Sequence, residues 1–150
     1  MKLRTHGLVG LSILGCMAIL FQSPPARAAG NCSAPVPIRF GKGASTATVH
    51  GGIIRAEDVC YVLSARAGQT LEADIKSPDE NVVFSLYRPG YSVKPASDGS
   101  DITGPTLPGA GDQDDAKSLH AKLPASGHYL FLLGTTRGGG GEYRLHVQVR

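Results

Sequence analysis

Residues 123–150, LPASGHYLFLLGTTRGGGGEYRLHVQVR, decide the fold of this chain. In residues 143–149 every second side chain is large and apolar, and polar or charged side chains stand between them. This period of two is typical of a strand with one buried face. Residues 128–134 are apolar at nearly every position, which indicates a central strand covered on both faces. A glycine-rich turn joins the two segments, and the pattern predicts a β-hairpin with Arg137 at its tip.

Segments upstream alternate in the same way. They are residues 45–54, 59–65, 71–76, 82–86 and 117–123, with a short first strand at 38–40. Gly, Pro, Asp and Ser residues separate them, and helical periodicity is missing after the N-terminal segment. The sequence therefore predicts an all-β fold, an antiparallel β-sandwich of about seven to eight strands with jelly-roll or Greek-key-like connections.

The N-terminal residues have the features of a signal peptide. Lys2 and Arg4 precede an apolar run at residues 8–21, and Ala26-Arg27-Ala28 forms a small-x-small cleavage site. This pattern predicts a secretory signal peptide at residues 1–28. The alternatives are an uncleaved membrane anchor or a lipoprotein site at Cys16, although the apolar run is shorter than the about 20 residues that span a bilayer. We expect export to the periplasm, with secretion as a further possibility.

After the predicted signal peptide, the charge of the remaining chain indicates its partners and its length indicates the number of domains. The full sequence has 15 basic and 12 acidic residues. Three of the basic residues lie in the predicted signal peptide, so the exported part has no net charge. This balance favours neither nucleic acid nor an anionic membrane as a partner. Residues 29–37 are predicted as a lead-in and residues 38–150 as a single domain. The oligomeric state is left open by the sequence.

Two cysteines remain after residue 28, Cys32 and Cys60. In an exported chain, such a pair predicts one disulfide. Two free thiols, or pairing between molecules, are the alternatives. An internal bridge would stabilise the fold by roughly 3–4 kcal/mol in the chain-entropy model.

The alternation stops over residues 89–115, which are rich in Gly, Pro, Asp and Ser. The composition predicts a long surface loop, either functional or mobile. Asp112, Asp114 and Asp115 lie close together in it, but the EF-hand spacing and its closing Glu are missing. No metal site and no cofactor are predicted.

Motifs for catalysis are also missing. The exported part has four histidines, none at metal-ligand spacing, and lacks a Gly-x-Ser-x-Gly elbow. The chain is therefore predicted not to be an enzyme. Arg137 is the more informative group, since a guanidinium presents a fork of donors that matches a carboxylate. The alternative is an arginine that is merely solvated beside a flexible loop.

Several motifs occur in a characteristic order. They are IRFGKGASTATVHG at 38–51, Tyr61 followed by ARAGQTL at 65–71, FSLYRPG at 84–90, LPASGHYLFLLGTTR at 123–137, and Tyr143. This order resembles the bacterial periplasmic inhibitors of g-type (goose-type) lysozyme. The segments AGQTL and LPASGHY are also similar to the wider pre-peptidase C-terminal β-sandwich group.

The resemblance implies a non-catalytic β-sandwich that binds g-type lysozyme and occludes its cleft with loops. Arg137 matches an arginine of the family's binding face. The residues that we predict to contact a partner are Arg137, Thr136, Gly138, Arg55, Glu57 and Asp58. The family also carries tyrosines in the turn before Tyr61 and a second arginine after Arg137, and neither has a counterpart here. The alternative is therefore a pre-peptidase-type binding module for an envelope glycan or another protein.

Overall fold

The computed structural model describes residues 32–55, 57–96 and 99–150. Within them the chain forms ten strands and confirms the predicted all-β sandwich. The strands are β1 (Val36–Pro37), β2 (Thr46–Ile53), β3 (Val59–Ala65), β4 (Thr70–Lys76), β5 (Val82–Tyr87), β6 (Ser92–Ala96), β7 (Gly99–Thr103), β8 (Ser118–Lys122), β9 (Gly127–Thr135) and β10 (Gly141–Val149). The predicted signal peptide lies outside the described residues. In the part described, there is no helix of the length and apolarity needed to cross a membrane.

Two four-stranded sheets form the sandwich, one in the order β1-β3-β9-β5 and the other in the order β2-β10-β4-β8. The strand pairs are antiparallel except at one edge, where β1 lies parallel to β3. Pro37 is in this edge strand, where its missing N–H leaves no gap in a ladder. The short first strand was expected at residues 38–40 and lies just before them.

The strands β9 and β10 belong to different sheets. β9 pairs with β3 and β5, whereas β10 pairs with β2 and β4. The hairpin predicted over residues 123–150 is therefore wrong, although both of its strands are present. Loop 136–140 crosses from one sheet to the other instead. Alternation identifies which face of a strand is buried, but it does not identify the neighbouring strand.

The main core lies between the two sheets. Phe131 of β9 is fully buried and meets Phe84 edge to face, with ring centroids 5.5 Å apart. The hydroxyls of Tyr61 and Tyr143 form a buried hydrogen bond of 2.7 Å across the core. Gly51 lies against the Tyr143 hydroxyl, which occupies the space that a Cβ at position 51 would need. The Tyr143 side chain therefore requires a glycine at the paired position of the neighbouring strand β2.

A second, smaller core covers the outer face of β9. It contains Leu130 and Tyr87 with the Cys32–Cys60 disulfide, which the structure confirms. Leu132, on the same outer face, is partly buried against them. This explains why residues 128–134 are apolar on both faces, since each face of the strand contacts a different core.

Residues 89–115 are not the irregular loop that the sequence predicts. They contain the β6–β7 hairpin, whose Val93 and Ile102 pack on the second core. Leu107 and Ala110 are buried in the main core. The apolar residues are too widely spaced among Gly and Pro to produce a detectable period, yet they suffice to cover an existing sheet.

The buried tyrosine pair predicts loss of stability at alkaline pH. Burial raises the pKa of both Tyr61 and Tyr143 above 10.0, and their mutual hydrogen bond raises that of Tyr143 further. In the unfolded chain each phenol ionises near pH 10. The free energy of unfolding should be fully retained below that pH and fall above it, by about 1.4 kcal/mol per pH unit for each tyrosine that stays protonated. Urea unfolding from about pH 8 to pH 11 measures this slope.

The control for this prediction is Tyr143→Phe, which removes one of the two ionising groups. Its free energy of unfolding should fall less steeply above pH 10 than that of the unsubstituted protein. Equal slopes in the two proteins would contradict the assignment of the alkaline transition to this pair.

Candidate functional site

Three connections lie together at one end of the sandwich. They are turn 54–58 after β2, turn 77–81 after β4 and loop 136–140 after β9, and we call them the loop end. The backbone N–H of Thr136 donates to the Asn81 carbonyl at 2.9 Å. The Asn81 side-chain amide donates to the Gly140 carbonyl at 3.4 Å. Asn81 is itself buried, so it ties loop 136–140 to the body of the protein.

The structure explains why glycine occupies two positions of loop 136–140. A Cβ at Gly140 would lie 2.6 Å from the Ile53 carbonyl oxygen, so only glycine permits this approach to turn 54–58. Gly138 has a φ of +62°, in the left-handed region that glycine adopts most readily. The loop is therefore shaped by close contact and by a turn.

The predicted partner-binding residues all lie at the loop end and are all exposed: Arg55, Glu57 and Asp58 in turn 54–58, and Thr136, Arg137 and Gly138 in loop 136–140. The contact at Gly140 brings these two segments together. An oxygen of the Asp58 carboxylate lies near Gly134, close to the end of β9.

Both arginines of the loop end are available to a partner. Within the described ranges, neither Arg55 nor Arg137 has an acidic group within 4 Å. A guanidinium keeps its charge at any physiological pH and can bind a carboxylate through two parallel hydrogen bonds. Either guanidinium could therefore pair with a single carboxylate of a partner.

Ile54 is a residue that the sequence analysis missed. It is 69% exposed and is the one large apolar side chain exposed in the part of the chain that the structure describes. The sequence analysis assigned it to a strand. The signal lay in two successive isoleucines before a polar turn, because only one of them can face the core. Its position directly before Arg55 places an apolar group beside a cationic one at the loop end.

The aromatic residues of the β5–β6 region do not form an open groove. Tyr87 is buried, and its hydroxyl donates to Asp112 at 2.5 Å. Burial and the neighbouring Asp112 carboxylate raise the pKa of Tyr87. Tyr91 packs against the second core. A glycan would therefore find no exposed aromatic platform here, which removes the main structural support for a glycan-binding module.

The acidic segment 112–115 also has internal roles. Asp112 accepts the Tyr87 bond, and Asp114 accepts a 2.7 Å hydrogen bond from the Gly111 N–H. Within residues 32–55, 57–96 and 99–150, no group of three His, Cys, Asp or Glu side chains is placed to hold a metal ion.

Comparison with solved structures connects this fold to proteins of known activity. A periplasmic inhibitor of g-type lysozyme, PliG from Aeromonas hydrophila, is 28% identical, with a TM-score of 0.56 over 77% of this chain and 95% of that one. The chain resembles the periplasmic inhibitors of g-type lysozyme. The PliG inhibitor of Salmonella Typhimurium is 25% identical, with a TM-score of 0.53 over 77% of this chain and 96% of that one.

A third PliG inhibitor, a mutant of the protein from Escherichia coli, shares the fold. It is 23% identical, with a TM-score of 0.53 over 77% of this chain and 96% of that one. No protein-family model matches the chain, and neither does any curated protein. The likeness to the PliG inhibitors covers nearly their whole length, and these three neighbours are inhibitors and not enzymes.

Proposed function

We propose that this protein is a periplasmic, non-catalytic inhibitor of lysozyme, that it acts on the g-type enzyme, and that its loop end occludes the substrate cleft. The observation that carries the proposal is the likeness to the Aeromonas hydrophila inhibitor, at 28% identity over 95% of that chain. The exposed arginines of the loop end, which have no acidic partner among the described residues, add a means of recognition.

The chemistry of the target fits these arginines. Glycoside hydrolases cleave their substrates with carboxylic side chains placed along a cleft. Arg137, with no acidic partner of its own within the described residues, would pair with a cleft carboxylate and replace the water around it. Ile54 would bury its exposed side chain against an apolar part of the cleft wall.

The construction of the loop end favours tight binding. Asn81 and the Gly140 contact hold loop 136–140 in place before any partner arrives. A preorganised loop loses less conformational entropy on binding than a free one.

Chemistry and the structural neighbours both support the proposed periplasmic location. The predicted signal peptide would export the chain, and the disulfide requires an oxidising compartment such as the periplasm. The solved inhibitors with this fold are periplasmic proteins. Peptidoglycan, the substrate of lysozyme, is reached from the same compartment.

Arg137→Ala is expected to weaken inhibition of g-type lysozyme by about 30-fold, the effect of removing an interface residue worth about 2 kcal/mol. The measurement titrates the chain from residue 29 onward against goose-type lysozyme acting on cell-wall substrate. The matched control is Arg66→Ala, another exposed turn arginine, which lies at the opposite end of the sandwich. It should inhibit as strongly as the unsubstituted protein.

Further measurements test the target, the selectivity and the mechanism of the proposal separately. Ile54→Ser should also weaken inhibition, by about tenfold, and leave stability nearly unchanged because the side chain is 69% exposed. Occlusion of the cleft predicts a raised KM with an unchanged kcat. No inhibition at micromolar excess would refute the lysozyme target, and equal inhibition of c-type lysozyme would refute the selectivity. An unchanged affinity of Arg137→Ala would refute only the proposed mechanism.

A further inference from the structure

The outer face of the β2-β10-β4-β8 sheet carries a row of three basic side chains. Arg144 of β10 lies directly opposite His50 of β2 on one side and Lys76 of β4 on the other. All three are exposed, and because His50 and Lys76 are both register partners of Arg144, they project from the same face. We call this set the cationic row. It is separate from the six predicted partner-binding residues.

The two permanently charged members of the row, Arg144 and Lys76, lie directly opposite each other on neighbouring strands. Adjacent strands are about 4.8 Å apart, and like charges directly opposite each other destabilise a sheet. In the part of the chain that the structure describes, no acidic group lies within 4 Å of His50, Arg144 or Lys76.

The other end of the same face is organised differently. There the Glu72 carboxylate lies 3.5 Å from the Arg150 guanidinium and 3.5 Å from the His120 imidazole. One acidic group thus serves two basic ones. The contrast shows that this face can pair its charges internally, whereas the cationic row has no such pair among the described residues.

The cationic row borders a depression of about 560 Å³. Its lining consists of Thr48, His50, Asp74, Lys76, Arg144 and His146. A second depression of about 320 Å³ shares the three members of the row. The Thr48 hydroxyl and the Nδ1 atom of His146 are 3.0 Å apart and hydrogen-bonded, which holds the floor beside the row. The row therefore lies between two depressions that a ligand can enter.

We propose that the cationic row is a binding site for a compact oxyanion, a single phosphate or sulfate group. Three donors from three neighbouring strands suit a tetrahedral anion, whose oxygens point in several directions. Asp74 lines the first depression and Glu142 lines the second, so a carboxylate stands on each side of the row. These carboxylates would repel an extended polyanion and leave room for one anionic group.

The test is a titration of the chain from residue 29 onward with sodium sulfate, followed by NMR of the backbone amides. Sodium chloride at equal ionic strength is the reference. Sulfate should shift the amides of β2, β10 and β4 around the row in a saturable way. Arg144→Gln should raise the sulfate dissociation constant by about tenfold, since it removes a charge-assisted donor. Lys76→Gln should act in the same direction.

The control variant is Lys122→Gln, which removes a lysine from β8 on the same face but outside the row. It should bind sulfate like the unsubstituted protein. Parallel titrations with inorganic phosphate and with glycerol phosphate identify the source: tighter binding of the ester indicates an esterified group, and equal binding indicates the free ion. Equal shifts with chloride, or unchanged sulfate binding in Arg144→Gln, would overturn the proposal. Neither readout involves lysozyme, so the outcome for this site is independent of the outcome for the inhibitory function.

Discussion

Reduction of the Cys32–Cys60 disulfide is expected to lower the free energy of unfolding by about 3–4 kcal/mol. The bridge spans a sequence separation of 28 residues and therefore restricts the unfolded chain considerably. It also attaches the segment before β1 to β3, and both cysteines are buried against Leu130 and Tyr87. Urea unfolding of the oxidised and the reduced protein measures the difference, because urea is compatible with a reducing agent.

A double variant provides the control for this prediction. Cys32→Ala with Cys60→Ala cannot form the bridge, so its urea midpoint should be the same with and without the reductant. Its stability should lie near that of the reduced protein, apart from the lost packing of two sulfur atoms. If the oxidised and reduced proteins unfold at the same urea concentration, the disulfide does not contribute to stability as we infer.

Phe131→Ala is expected to lower the free energy of unfolding by about 3–5 kcal/mol. Phe131 lies on the central strand β9, opposite Tyr61 on one side and Leu86 on the other. It is fully buried between the sheets and contacts Phe84 edge to face. Its removal would leave a cavity that the neighbouring strands cannot close, because they are held by hydrogen bonds on both sides. Urea unfolding again gives the difference.

Leu132→Ala is the matched control, one residue further along the same strand. Leu132 projects to the opposite face, where it is only partly buried against the second core. Its loss should cost about 1–2 kcal/mol, the value for a side chain that is only partly removed from water. A larger effect at Leu132 than at Phe131 would show that the second core, and not the space between the sheets, provides most of the stability.

The candidate sites differ in how far the sequence could reveal them. Arg55 and Arg137 flank turns in the sequence, and both are exposed as expected. The sequence alone does not indicate the cationic row, because His50, Lys76 and Arg144 are far apart along the chain. Only the register of β2, β10 and β4 makes them neighbours. No local pattern contains this information, since register depends on pairing between distant segments.

The sequence by itself determined where the main strands lie and which of their faces are buried. Alternation is a local property of two successive residues, and it placed β3 at residues 59–65 and the inward row of β10 correctly. The sparse apolar residues of segment 89–115 formed no such pattern, so β6 and β7 appeared only in the structure.

Only the tertiary structure decided that β9 and β10 separate into two sheets. Both strands have an apolar row, and placing those rows face to face buries more surface than placing the strands side by side in one sheet. Hydrogen bonds can be satisfied by many partner strands, so the chain adopts the pairing that closes the core. The glycine loop 136–140 permits the crossing, and the crossing brings this loop, which contains Arg137, into contact with turn 54–58 through Gly140.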